Sequence, residues 1–387
     1  MNNKKNIHVI VATGEWDQDN LRYRRHRLAE YLESHPDTEE VIWVCPSITK
    51  HAESFRLLEN GIKQYTVNDI HSHKLSRFGR YFDIFYKGKL QRLKRYLDGK
   101  STQSSLYLWC TFPGFPGMVD LCAWKETIYD CSDYWASSIT GNKNIVLMMR
   151  EKSILQAEKR IAENVDTIFC TSDFLYENLK QEYNIKADQF VMENGVEYDL
   201  FQTSDKPTGM ERRKSDLVLG FIGGIKPKLD FDMLYRLMSL KPNWELLLVG
   251  PDGTDGHPDF KKLQSLNNVH WVGKVPPKEV PHYMNALDIG ILPYKKSPYN
   301  NAVFPLKLFE FLGAGKPVVG MNLPSTQKFS EPNVYEYLIN DTADNVIATC
   351  ETLTSTSNTS IVKRRKELAA SKNWQNIFQK MYQIVMK

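Results

Sequence analysis

Asp17 and Asp19, in the stretch GEWDQDN (14–20), form an Asp-x-Asp pair that could hold a divalent metal against a nucleotide diphosphate. A second candidate lies near the other end of the chain, in NNAVFPLKLFEFLGAGKPVV (300–319). There Lys307 and Glu310 stand three apart, on one face of any helix they share. Pro305 suits the first helical position, and Gly313 and Gly315 suit the end. The N-terminus of such a helix, with an ammonium beside it, neutralises a diphosphate. Glu310, one turn further on, can accept hydrogen bonds from a ribose diol. A companion loop is GFIGGIKPKLD (220–230): Gly223 and Gly224 allow close backbone approach to phosphate, and Lys226 and Lys228 follow. It matches neither G-x-G-x-x-G nor the P-loop pattern. ETIYDCSDYW (126–135) offers two more carboxylates, Asp130 and Asp133, at the end of an apolar run where a general base could sit.

These groups need a scaffold, and the apolar pattern supplies one. Strand-like runs at 6–12, 40–45, 62–67, 105–110, 126–131, 165–170 and 190–195 alternate with helical stretches at 20–34, 76–98, 142–163 and 173–183. The polar segment 202–216, with Pro and Gly and no apolar period, reads as a linker. Alternation then restarts at 217–224, 244–250, 268–273, 288–294 and 316–321, and the chain ends in helix. The expectation is α/β: a Rossmann-like doubly wound domain over 1–201, a linker over 202–216 and a second such domain over 217–387, facing a cleft. Asp19 and Asn20 then fit as N-caps of a helix starting near Leu21, which sets the metal reading aside. Trp16 leaves the first strand and could touch an acceptor. That helix carries Arg22, Arg24, Arg25 and Arg27 beside an apolar stripe of Leu21, Leu28 and Leu32. Arg24 and Arg25 fall near the gap in the stripe, so one should turn inboard or toward the cleft, where it could hold an acceptor phosphate.

Bulk properties narrow the class. At 387 residues and 42% hydrophobic, the chain can bury real cores. Its longest apolar runs, such as Leu246–Val249, fall far short of a membrane span, and no signal-peptide pattern opens it. The six cysteines show no C-x-x-C spacing, so a reduced, cytoplasmic protein is expected. The net charge of +4 is unevenly spread. Residues 71–100 hold nine Lys/Arg against two acids, interleaved with Phe78, Tyr81, Phe82, Phe85, Tyr86 and Tyr96. Such a segment can rest on an anionic membrane face, or be a solvated face with its aromatics turned inward. No nucleic-acid module is present, so no nucleic-acid partner is expected.

The ordered series from LGFIGGIKPKLD through PNWELLLVGP, NNVHWVGKVPPKEVPHYMNALDIGILPY and FPLKLFEFLGAGKPVV resembles the nucleotide-sugar-binding domain of GT-B glycosyltransferases. The N-terminal HVIVATGEWDQDNLRYRRHRLAEYL and YDCSDYW extend the resemblance over nearly the whole chain. It is nearest to the bacterial branch that builds cell-surface polysaccharide such as teichuronic acid. The resemblance implies that Lys307 contacts the diphosphate, Glu310 the ribose, the backbone at Val275 the uracil, and that Tyr294 lines the donor pocket. It also implies a C-terminal helix returning to the first domain. Asp133 lies where related enzymes carry their base, and Arg24, Leu28 and Ala29 match an Arg-x-x-x-Leu-Ala pattern. Retaining families place glutamates eight apart; here the earlier position is Ala302, which favours inversion. The implied reaction moves a sugar, glucuronic acid or N-acetylgalactosamine, from a UDP-sugar to a lipid-linked saccharide at the inner membrane surface. It needs no cofactor or metal beyond the co-substrate. Two alternatives stay open: a UDP-sugar epimerase of the same fold, and a non-catalytic partner that binds nucleotide sugar or glycan.

Overall fold

A computed structural model describes residues 4–18, 22–48, 54–70, 74–137, 145–202, 215–356 and 358–387. The chain divides into two compact units, 1–193 together with 378–387, and 194–377. The division falls at Glu193/Asn194 rather than at 201, and most of the expected linker lies outside the described residues. The last residues return to the first unit through a helix, Trp374–Val385.

The first unit is built on an eight-stranded sheet in the order β3-β4-β2-β1-β5-β6-β7-β8. In chain order its strands are β1 Asn6–Val11, β2 Thr38–Ser47, β3 Phe55–Leu57, β4 Lys63–Asn68, β5 Ser105–Cys110, β6 Glu126–Cys131, β7 Thr167–Cys170 and β8 Asp188–Val191. All pairings are parallel except that of β3, a three-residue antiparallel edge the apolar pattern did not foreshadow. All six residues of β1 are buried, because helices cover both faces of a parallel sheet. Two expected helices change shape. The one near Leu21 begins at Arg24 with Tyr23 at its N-cap and no side-chain cap; Asp19, Asn20 and Leu21 lie outside the described residues. The basic stretch 76–98 is a 3-10 turn Lys74–Tyr81, a short helix Asp83–Tyr86, a second 3-10 turn Lys87–Leu90 and a regular helix Gln91–Lys100. Gly79 and Gly88 weaken its helical continuity.

The second unit holds an all-parallel six-stranded sheet in the order β11-β10-β9-β12-β13-β14. Its strands are β9 Leu217–Ile222, β10 Trp244–Val249, β11 Val269–Gly273, β12 Ile289–Pro293, β13 Val318–Met321 and β14 Tyr335–Leu338. The chain winds outward from β9 one way and from β12 the other, so the strand order reverses between these neighbours. Open α/β sheets bind ligands beyond the C-terminal ends of strands at such a switch point. β9 ends into Gly223 and β12 into Tyr294. In the first unit the reversal lies between β1 and β5, and β1 leads to Trp16.

Candidate donor and acceptor sites

The helix carrying Lys307 and Glu310 runs from Lys307 to Gly313. Pro305 therefore precedes it rather than opening it, and Leu306 holds the N-cap position with φ −55° and ψ −34°. Its sheet-facing side is fixed by size: a Cβ on Gly290 of β12 would lie 2.5 Å from the ring of Phe311, so only glycine admits that ring. Burying such a ring contributes about 1.5–3 kcal/mol, and it fixes the helix on the sheet near the N-terminal end of β12. With seven residues the macrodipole is short, so most of the positive charge here comes from Lys307.

Lys307 and Glu310 do share a face, with Nζ 2.5 Å from Oε2, and both side chains are partly buried. The ammonium stem also reaches the glycine loop: Lys307 Cε lies 3.8 Å from where a Cβ on Gly223 would stand. Tyr294 is buried beside them, its phenol pushed up by burial and partly offset by the Lys307 charge. Three of the expected donor residues, Gly223, Tyr294 and Lys307, thus meet at the switch point, with Glu310 attached through its ion pair. Lys226 is exposed on the same loop, its Cε 3.4 Å from where a Cβ on Gly224 would stand. Val275 packs its side chain on the core after β11. Among the described residues its backbone N–H and C=O take no hydrogen bond.

Gly250, Gly253 and Asn300, which sequence reasoning did not assign, hold these loops in place. Gly250, with φ +144°, crosses Gly223 so closely that a Cβ would fall 1.9 Å from the Gly223 oxygen. The Gly223 N–H donates to Val249 O at 2.8 Å and Gly253 N–H to Ile225 O at 2.8 Å, lacing the two loops together. Asn300, fully buried, donates from Nδ2 to Lys228 O at 3.0 Å and Lys295 O at 2.6 Å. Lys228 Nζ lies 5.2 Å from the centre of the Tyr294 ring and 5.8 Å from that of Tyr299. Only the glycine after β10 left a trace in the sequence; the other two depend on contacts between distant loops.

In the first unit, Asp133 lies two residues beyond β6, half-buried, and its Oδ1 accepts the Tyr134 N–H at 2.9 Å. Asp130 is different. It is buried and accepts from Arg24 Nε at 3.0 and 2.9 Å, a structural pair. Arg24 is the inboard arginine, but its other nitrogens go to Glu193 O and Met381 Sδ. The expected acceptor contact of Arg24 gives way to this pairing, because a buried unpaired Asp130 would be far costlier than a lost surface contact. Trp16 is half-buried in the 3-10 turn Trp16–Gln18, its ring 4.9 Å from those of His26 and Trp43. It remains at the end of β1, at that sheet's own reversal. Asp17, the described half of the Asp-x-Asp pair, is ion-paired with Arg56. Among the described residues no cluster of His, Cys, Asp or Glu is arranged to hold a metal.

Two doubly wound units give the chain the GT-B fold, with a lysine and glycine loops gathered at the second unit's switch point. Residues 216–355 match the family model described as glycosyl transferases group 1, and the chain belongs to this family. It is 48% identical over 380 residues to the "Putative teichuronic acid biosynthesis glycosyltransferase TuaH" of Bacillus subtilis strain 168, covering 97% of this chain and 96% of that one. Sucrose-phosphate synthase of Thermosynechococcus elongatus shares the fold with a TM-score of 0.73 at 15% identity, covering 98% of each chain. Anabaena Alr3699/HepE in complex with UDP does so at 0.68 and 14%, covering 98% and 99%.

Proposed function

We propose that this glycosyltransferase moves a sugar from a UDP-sugar to a hydroxyl of a lipid-linked saccharide, in the synthesis of teichuronic acid or a related cell-wall polysaccharide. The work would take place at the cytoplasmic face of the membrane, without a metal. The observation that carries the donor half is Lys307 against the Gly223 loop at the switch point, with Glu310 attached to it. A diphosphate seated there would draw Nζ away from Glu310 and free that carboxylate for a ribose diol. The name of the Bacillus relative and the UDP bound by the HepE structure support the substrate class. The lipid carrier is part of the same proposal: a polysaccharide destined for the cell wall would be assembled on an anchor that holds it at the membrane. An acidic sugar such as glucuronic acid fits the basic surplus of the chain.

For the chemistry, Asp133 would take the proton of the acceptor hydroxyl as its oxygen attacks the anomeric carbon. The bond from that carbon to UDP breaks, the configuration inverts, and Lys307 stabilises the departing diphosphate. Because Lys307 supplies that charge, no metal is required.

The test is a donor screen with UDP-glucuronic acid, UDP-N-acetylgalactosamine and UDP-N-acetylglucosamine, with and without membrane lipid extract, and with EDTA. Lipid-dependent transfer that survives EDTA is expected, with the opposite anomer in the product by NMR. Lys307→Ala should weaken UDP binding about ten- to hundredfold. Asp133→Asn should abolish turnover and leave UDP binding unchanged. Unaltered UDP affinity in Lys307→Ala, or normal turnover in Asp133→Asn, would refute these roles.

A further inference from the structure

Trp271 lies on β11, the edge strand of the second unit's sheet, and keeps 38% of its surface exposed. Its ring stands edge-on to Phe260 of the helix Pro258–Gln264, with centres 5.8 Å apart. A phenyl ring makes the same kind of edge-on contact, so packing alone does not call for an indole here. What the indole adds is its N–H: Nε1 donates to Gly250 O at 2.9 Å. The register shows how the side chain gets there. β10 pairs Leu247 with His270 and Leu248 with Trp271, then passes over Val272 to pair Val249 with Gly273. One extra residue on an edge strand is a bulge, a device that re-aims side chains beside functional sites. Trp271 thus reaches a carbonyl two residues beyond its own ladder partner, Leu248.

Gly250 is therefore held twice from β11. Its N–H donates to Gly273 O at 2.8 Å, and its oxygen accepts the Trp271 indole. This is the residue that crosses Gly223 too closely for any side chain. Around the crossing, Gly223 N–H donates to Val249 O, Ile225 N–H to Pro251 O at 3.0 Å and Gly253 N–H to Ile225 O. These contacts run in series from the edge strand to the glycine loop that the Lys307 stem reaches. β11 also leads, two residues past its end, into Val275. One strand therefore carries both the segment expected to read the base and the indole that steadies the loop expected to receive the diphosphate.

We propose that Trp271 is a positioning residue for the donor. Its indole N–H fixes the Gly250–Gly223 crossing relative to the segment at Val275, and so sets the spacing between the diphosphate and base halves of the site without touching either group. The proposal rests on the UDP-sugar reading of this site and adds what keeps its two halves in register.

Trp271→Phe in the full chain tests it, because this variant keeps a ring beside Phe260 and removes the N–H. UDP affinity is read by calorimetry and uridine affinity by ligand-observed NMR. UDP should bind about three- to tenfold more weakly, as expected when one hydrogen bond is lost. Uridine, which lacks the diphosphate, should bind as it does to wild type. In ligand-free protein, hydrogen exchange should quicken at the amides of Gly223, Ile225, Gly250 and Gly253 and stay unchanged on β9 and β12, with the melting temperature within about 3 °C of wild type. In a Gly250→Ala background, where the crossing is already displaced, Trp271→Phe should weaken UDP binding by less than about twofold more. Wild-type UDP affinity in Trp271→Phe, or losses that multiply fully with Gly250→Ala, would overturn the proposal. Equal losses for UDP and uridine would also overturn it, since Trp271 would then act on the base. So would a melting temperature lowered by more than about 10 °C, which would make the role one of general stability. Wild-type protein that binds no UDP would refute the donor reading instead, and the exchange rates would then decide the indole contact by themselves.

Discussion

Glu158 sits 4% exposed in the first unit, its carboxylate accepting from the hydroxyls of Tyr129 at 2.6 Å and Tyr183 at 3.1 Å. Burial pushes its carboxyl up to about 7, and the two hydroxyls pull the other way without winning. A folded pKa above the unfolded one means the contribution is complete below about 4.5 and is lost as pH rises through about 7. Ionised Glu158 therefore costs about 3 kcal/mol at pH 8. His8 and His26 act in the opposite direction. Burial lowers both to about 3, with Arg25 and Arg22 adding to the effect at His26, so they weaken the fold as pH drops below 6.5. At about pH 5 the pair costs about 4 kcal/mol against about 2.5 recovered from Glu158, so the histidines decide the net slope. Glu158→Gln isolates the carboxyl. The variant should exceed wild type by about 1–3 kcal/mol at pH 8 in urea unfolding and by less than about 1 at pH 5. A gain of the same size at both pH values would mean the carboxyl does not titrate in this range.

At the scale of elements, the donor site is a matter of how closely loops cross. Gly250 holds a left-handed φ of +144° with its hydrogen where any side chain would strike Gly223 O. Gly250→Ala must push the Gly223 loop away from Lys307, and UDP affinity should fall at least about tenfold, as expected when one charge-assisted contact is lost. Gly256→Ala is the control, since Gly256 also has positive φ, +78°, but opens toward the Lys261 side chain rather than toward Gly223. Equal losses in the two variants by calorimetry would trace the effect to general strain. This also explains what the sequence could disclose. Strands β5 and β6 were readable to the residue, because unbroken apolar and β-branched runs have few other uses. The Lys307 helix was readable from its glycines and its charge spacing, though its start was not, since Leu306 carries no capping signal. The short edge β3, the Asn300 staple and the Arg24–Asp130 pair were not. Each exists only once segments far apart in sequence meet, and local propensity carries no trace of that.

At the scale of the whole molecule, labour and titration are divided between the units. His8, His26 and Glu158 belong to the unit of 1–193 and 378–387, whereas Gly223, Tyr294, Lys307 and Glu310 belong to that of 194–377. Each unit has a sheet and buried apolar residues of its own, so each can unfold as a cooperative body. On the proposed reading nucleotide binds the folded second unit, and at about one hundred times Kd it would add about 2.7 kcal/mol there, a shift of about 5–10 °C for a body of this size. Scanning calorimetry should therefore show two transitions: UDP raises one, and a change from pH 8 to pH 5 moves mainly the other. The helix Trp374–Val385 complicates this separation, since its residues are shared between the units and melting of one frays the part that serves the other. The first-unit transition should accordingly follow UDP weakly. A single transition that UDP and pH shift together would show that the shared helix makes the chain one cooperative body, and the site could then be loosened by acid acting on residues remote from it in sequence.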